Sequence, residues 1–215
     1  MIFHHPIGLM RQLCPHALWR VEGAGASVFL TFDDGPIPEV TPWVLDVLDS
    51  YGVQATFFMV GDNVRKHPDV YAQVVARGHA VGNHTFHHLQ GRKCSVQSYM
   101  DDVELAQQLL PDGPAARLFR PPHGLVRRGQ RCELDKQGYR VVQWDIVTRD
   151  YAERVTPERI ARTIRRYARS GSIITFHDSL RSVETLRVAL PQTIEWLQQQ
   201  GYAFRTLADV YGTSH

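Results

Sequence analysis

Alternation is the feature that most restricts what this chain can fold into. Short β-branched and aromatic runs give way six or seven times to helical patterns, with brief connections between them. The runs at 28–32, 54–60, 79–82, 118–121, 139–144, 172–177 and 202–204 read as strands. Between them, Thr41 with Pro42 marks a helix start of the N-cap and N1 type. Pro68 opens a second helix that Gly78 ends, and Ser95 caps a third whose Tyr99, Val103, Ala106 and Leu110 recur at helical spacing. Further helices are predicted over 126–137, from Thr156-Pro157 to about Arg169, and over 183–200 with a bend near Pro191. Strands that alternate with helices in this way pair in parallel, so the fold class is α/β.

At this length an open doubly wound sheet competes with a closed or nearly closed barrel. No Gly-x-Gly-x-x-Gly follows the first strand, which removes the main support for a dinucleotide fold. The placement of polar residues favours the barrel. Asp33 and Asp34 follow the first strand, His84 to His88 the third, Arg120 and His123 the fourth, 145–150 the fifth, and His177 with Asp178 the sixth. In a parallel barrel these strand ends share one face, so they predict one converging site.

The chain of 215 residues suits a single domain with a sizeable core, and 43% hydrophobic residues fit a globular protein. Residues 27–215 are read as that domain. Residues 1–26, punctuated by Pro6, Pro15, Gly23 and Gly25, are read as an irregular segment covering one end of it. With 24 basic and 22 acidic residues the net charge is +2, which gives no field calling for a nucleic-acid or membrane partner. Cys14, Cys94 and Cys132 form no CxxC pair and cannot all be bridged. Free thiols and the lack of a recognisable export signal or apolar span set a cytoplasmic expectation. Self-association is not legible.

Two strings carry chemistry. In Thr31-Phe32-Asp33-Asp34-Gly35-Pro36, neighbouring acids on a strand face opposite ways, so both reach one site only if the chain turns at Gly35. A plain turn with a capping carboxylate is the competing reading. In His84-Thr85-Phe86-His87-His88, histidines four apart on a helical turn share a face, so His84 and His88 can hold one ion while His87 points away. With one carboxylate from the first strand they make a two-His, one-Asp set, which suits catalytic zinc and also ferrous iron. The bland alternative is a surface histidine cluster; its coincidence with the acids on one barrel face favours the ion.

TFDDGP, GNHTFHH, Arg120-Pro-Pro, the 145–151 region and Phe176-His177-Asp178 occur in the order of the polysaccharide deacetylase family, the NodB-like carbohydrate esterases. The sequence resembles that family over residues 28–205. The resemblance implies a distorted (β/α) barrel of about seven parallel strands that removes acetyl groups from N-acetylglucosamine-containing polymers of the chitin or peptidoglycan type. It implies a divalent metal, zinc first, with cobalt, nickel or ferrous iron as alternatives. By the same resemblance Asp34, His84 and His88 are the metal ligands, Asp33 is the catalytic base and His177 the general acid. Asp150 orients His177, Arg120 holds Asp33, and the His123 backbone N–H serves as an oxyanion donor. Tyr151, Thr175 and Trp144 join His123 as substrate-binding candidates.

This division of labour is chemically sound. A metal can lower the pKa of bound water from 15.7 to about 7; a nearby carboxylate takes its proton; and an amide nitrogen must be protonated to leave. Without the metal motif, Arg120 reads as a surface cation and His177 as a core histidine, with Asp178 capping the next helix.

Three positions depart from the family pattern. His123 stands where Tyr is usual. The Asp-x-x-Asp-Trp motif becomes Val147 to Tyr151, without its first Asp and with Tyr for Trp. Thr175 stands for Leu. The last two of these, Tyr151 and Thr175, fall on the walls of the family's acetate-methyl pocket, which leaves acyl preference open. Two other functions compete: a hydrolase of small amides or cyclic imides on the same barrel, and a carbohydrate-binding protein without chemistry. Arg120, Asp150 and His177 favour the sugar deacetylase over the first, and Asp33 with His177 argues against the second.

Overall fold

The computed structural model describes residues 14–110 and 117–211. Its elements in chain order are β1 (Ser27–Asp33), α1 (Thr41–Ser50), β2 (Thr56–Met59), α2 (Gly61–Lys66), α3 (Pro68–Ala76), β3 (Ala80–Asn83), α4 (Val96–Gln107), β4 (Leu118–Phe119), α5 (Arg128–Lys136), β5 (Arg140–Val141), β6 (Ile146–Val147), α6 (Pro157–Tyr167), β7 (Ile173–His177), α7 (Val183–Gln199), β8 (Ala203–Phe204) and α8 (Ala208–Tyr211). Paired strands are parallel, in the order β5-β4-β3-β2-β1-β7-β6, with β8 beside the start of β1. The seven-strand path forms a curled half-barrel whose ends, β5 and β6, do not pair with each other. Among the described residues no helix is long and apolar enough to cross a membrane.

β1 is the centre because both its faces are covered, and all seven of its residues are buried. Val28, Leu30 and Phe32 point outward beneath α1 and α7, against Leu45, Leu48, Leu190 and Ile194. Phe32 stacks on Phe57 at 4.9 Å between ring centroids. Burying such side chains contributes roughly 1.5–3 kcal/mol each. The alternate residues face the barrel interior: Phe29 packs with Phe58, Leu118, Val142 and Ile173, and Thr31 and Asp33 meet Arg120 nearer the strand ends. Apolar packing therefore fills one end of the interior, and polar groups occupy the other.

Several sequence expectations change here. The predicted strand 139–144 is β5 alone, and β6 is a separate strand after it. Thr41 is the first residue of α1 rather than its cap, since Val40 holds the cap position. Its hydroxyl accepts from Ile37 N at 2.8 Å and donates to Asp178 at 2.5 Å, so tertiary partners take the oxygen that a cap would use. α2 was not anticipated; its length of six residues is too short for a periodic signal. Ser95 and Thr156 do cap α4 and α6. α7 runs as one helix through Pro191.

Of the N-terminal segment, residues 1–13 lie outside the described residues. The remainder joins the two sides of the sheet: Leu18 bridges Val142 beyond β5, and Arg20 bridges Ser172 before β7. Ala17, Trp19, Val21 and Ala24 are buried by it.

Candidate active site

The strand ends converge as the barrel reading requires, but the turn that unites the two acids lies one residue earlier than expected. β1 ends at Asp33, and Asp34 itself takes the left-handed conformation, φ 85°, which swings its carboxylate to the side that Asp33 faces. Three hydrogen bonds from two residues hold this turn. Asn63 of α2 donates to the Asp34 carbonyl at 2.8 Å, Asp178 accepts from Gly35 N at 3.1 Å, and Asp178 N donates to the Asp33 carbonyl at 3.1 Å. Only glycine fits at position 35, because a Cβ there would lie 2.0 Å from Asp178 Oδ2. Asp178 is thus a buttress of the first loop and not the cap of α7, whose N-cap is Ser182. Burial, with Asp34 nearby, pushes its carboxyl up to about 8.

His84 and His88 also meet, through a loop and not through helical spacing. Thr85 and His88 have φ of 62° and 55°. Asn83 Oδ1 accepts from Thr85 N, Asp102 accepts from the N–H groups of Phe86 and His87, and Thr85 Oγ1 accepts from Leu89 N. Side chains thereby satisfy donors that a helical turn would otherwise pair. His87 points away, as expected, onto Asp102 at 2.5 Å.

Asp34 Oδ1 lies 3.3 Å from His88 Nε2 and 3.8 Å from His84 Nε2, and one donor atom from each residue falls within 4.8 Å of the others. His84 Nδ1 sits 2.6 Å from the Arg120 carbonyl. A carbonyl only accepts, so Nδ1 carries the proton and Nε2 turns its lone pair toward Asp34. Burial holds His84 down to about 4, outweighing the pull of Asp33, so the ring is neutral at pH 7. A neutral imidazole with its tautomer fixed, beside a second imidazole and a carboxylate, fits a divalent cation.

Beside this cluster are two buried ion pairs. Arg120, fully buried, donates through Nη1 to Asp33 at 2.6 Å and to Thr31 at 2.8 Å, and through Nη2 to the Gln143 carbonyl at 3.1 Å. Its guanidinium lies over the Phe58 ring at 4.1 Å. Burial alone would raise the Asp33 carboxyl, but Arg120, with His84 and His177 beyond, holds it below the usual range. On the other side His177 Nδ1 is 2.8 Å from Asp150 Oδ1, and His177 N donates to Oδ2 at 3.0 Å. Burial would lower His177; Asp150, supported by Asp34 and Asp33, raises it to about 9.

The expected substrate-binding residues line the same cleft of about 870 Å³: His123, Trp144, Tyr151 and Thr175 all border it, with Asp33, Asp34, His84, His88 and His177. Tyr151 sets its ring edge on His177 at 4.6 Å between centroids. Thr175 is buried, its hydroxyl 3.0 Å from that of Thr31. Trp144 covers Gly124, where a Cβ would come within 2.2 Å of the indole. Within the 145–150 stretch the structure divides what the sequence grouped. Asp145 is buried against Arg169 and Ser172 before β7, away from the cleft, and Asp150 reaches the site because β6 intervenes. Asn63, Asn83, Asp102 and the bracing role of Asp178 escaped the sequence reading. Of these, Asn83 in GNHTFHH and Asp178 next to His177 stood inside recognised strings, while Asn63 and Asp102 carried no signal.

A curled parallel α/β half-barrel whose strand ends gather two imidazoles and a carboxylate within reach of one ion is a NodB-type barrel. Residues 20–142 match the family described as polysaccharide deacetylase, and the chain belongs to that family. It is 32% identical over 212 residues, 96% of this chain and 99% of the relative, to a peptidoglycan-N-acetylglucosamine deacetylase of Bacillus cereus. It is 34% identical over 200 residues, 86% of this chain and 90% of the relative, to a chitooligosaccharide deacetylase of Bradyrhizobium. A solved peptidoglycan N-acetylglucosamine deacetylase, in complex with 4-naphthalen-1-yl-N-oxidanyl-benzamide, superposes with TM-score 0.87 at 30% identity, covering 97% of this chain and 98% of the other.

Proposed function

We propose that the protein is a divalent-metal-dependent hydrolase that removes N-acetyl groups from N-acetylglucosamine-containing glycans. The observation that carries this reading is the sorting of two adjacent acids: Asp34 faces His84 and His88, while Asp33 faces Arg120. Asp34, His84 and His88 would hold the cation, with zinc the first choice by donor set. When bound, it supplies Lewis-acid activation of water and of the acetyl carbonyl.

The remaining steps belong to the side chains. Asp33, kept ionised by Arg120, takes the proton of the attacking water. His177, kept cationic by Asp150, gives a proton to the departing amine nitrogen. On this reading the His123 backbone N–H receives the negative charge that develops on the acetyl oxygen. In this segment Gly124 N and Leu125 N are taken by the carbonyls of Pro121 and Pro122, whereas His123 N takes no turn carbonyl. Trp144, Tyr151 and Thr175 wall the place left for the sugar and its acyl group.

The test is acetate release from chitin oligomers and peptidoglycan fragments, with and without a chelator, for the wild type and for Asp33→Asn. The expected result is chelator-sensitive release that Asp33→Asn lowers by roughly 10²–10⁴-fold with metal retained. Undiminished release by this variant would remove Asp33 as the base.

A further inference from the structure

The cleft holds two cations that the deacetylation steps do not use. Arg149 follows β6 and Arg181 follows β7, so they rise from the loops of neighbouring strands, and both line the cleft mouth beside Tyr151 and Leu180. The acids that border the cleft are engaged elsewhere: Asp33 with Arg120, and Asp34 with His84 and His88. Neither the Arg149 nor the Arg181 side chain has a hydrogen-bond or carboxylate partner among the described residues. Many other cations do have one, such as Arg65 and Lys66 on Asp62, and Arg77 on Asp46 and Asp49.

Arg149 also occupies an unusual place. Its backbone is left-handed, φ 57°, in the turn closed by Ala152 N donating to its carbonyl. A long side chain disfavours that conformation. Its Nε is buried without a partner. A guanidinium that lines a cleft and has no carboxylate of its own can take one from a ligand. The guanidinium fork matches a carboxylate in two parallel hydrogen bonds.

We propose that Arg149 and Arg181 form a carboxylate-binding rim on the β6 and β7 side of the cleft, selecting glycans that carry an acidic group close to the N-acyl group removed. This rests on the deacetylase reading for its turnover but not for its binding.

The experiment compares two fully N-acetylated tetrasaccharides of equal length. One is the neutral N-acetylglucosamine tetramer; in the other every second sugar carries a lactyl-ether carboxylate. With the metal-loaded wild type, kcat/KM is expected to be at least tenfold higher for the acidic oligomer, through KM, and 0.5 M salt should shrink that ratio. Arg149→Met and Arg181→Met should each bring the ratio toward one. Arg181→Met keeps the test open if the strained turn does not tolerate the first change. A ratio near one in the wild type, or variants that slow both oligomers in parallel, overturns the proposal.

Calorimetric binding of both oligomers to wild type and to Arg181→Met separates the two readings. If no acetate is released yet the acidic oligomer binds tenfold tighter in an Arg181-dependent way, the deacetylase reading fails and the rim stands. Equal binding of the two oligomers overturns the rim whatever the turnover.

Discussion

His84 and His177 are both buried imidazoles at the ends of parallel strands, and their surroundings drive them in opposite directions. His84 is pushed down to about 4 by burial, with a backbone carbonyl on Nδ1. His177 is raised to about 9 because a buried carboxylate, Asp150, outweighs the same desolvation. A carbonyl fixes a tautomer without supplying charge; a carboxylate does both. One fold therefore places a neutral electron-pair donor and a proton donor on either side of one carboxylate, and the largest difference between them is the partner of Nδ1.

Removing the first member of this pair should have the largest effect. His84→Ala is expected to purify without stoichiometric metal and to turn over no faster than chelated wild type. Elemental analysis alongside acetate release checks this, and full metal occupancy would refute the ligand role. His177→Ala should retain its metal and lose roughly 10²–10⁴-fold in kcat/KM. A rate within a fewfold of wild type would strip His177 of the acid role and leave only half of the comparison.

Asp150→Asn sharpens the contrast, because it gives His177 a partner without charge. Wild-type kcat/KM is expected to fall on an alkaline limb near 9, and in the variant that limb should move toward 6.5 or below. The same pair contributes to stability with a definite sign. A folded-state value raised above 6.5 stabilises fully below pH 6.5, and the contribution is lost as pH rises through about 9. The gap in melting temperature between wild type and Asp150→Asn should therefore be widest near pH 6 and should narrow above pH 9. A gap constant with pH would mean that the pair is not coupled.

The smallest effect concerns the bracing of the first loop. Thr41→Val removes the hydrogen bond to Asp178 and the one accepted from Ile37 N, and leaves Gly35 N in place. Stability should fall by about 2 kcal/mol in urea titration, with at most a several-fold loss in kcat/KM. Loss of metal from this variant would show that the Asp34 turn depends on Thr41 more than its geometry suggests.

Much of the site was legible because its residues stand at the ends of strands that the periodicity marks. Asp33, Asp34, His84, His88, Arg120, Asp150 and His177 were named from strings, and the fold brings five of them to one cleft, with Arg120 and Asp150 paired to Asp33 and His177 behind it. The means of convergence was not legible. Helical spacing was the expected reason for His84 and His88 to meet, yet left-handed residues and side chains from elsewhere shape their loop. Asp145 and Asp150 read alike in sequence, and a two-residue strand between them, too short for any periodic signal, sends one to each end of the barrel.

The sequence by itself determined a parallel α/β sheet and the chemical inventory at its strand ends, because strand and helix periods and local punctuation are properties of neighbouring residues. Only the tertiary structure decided which nitrogen of His84 is free, that both oxygens of Asp150 engage His177, and that Asp178 braces Gly35. Those outcomes depend on partners tens to more than a hundred residues away, and on burial, which sets how strongly each partner is felt.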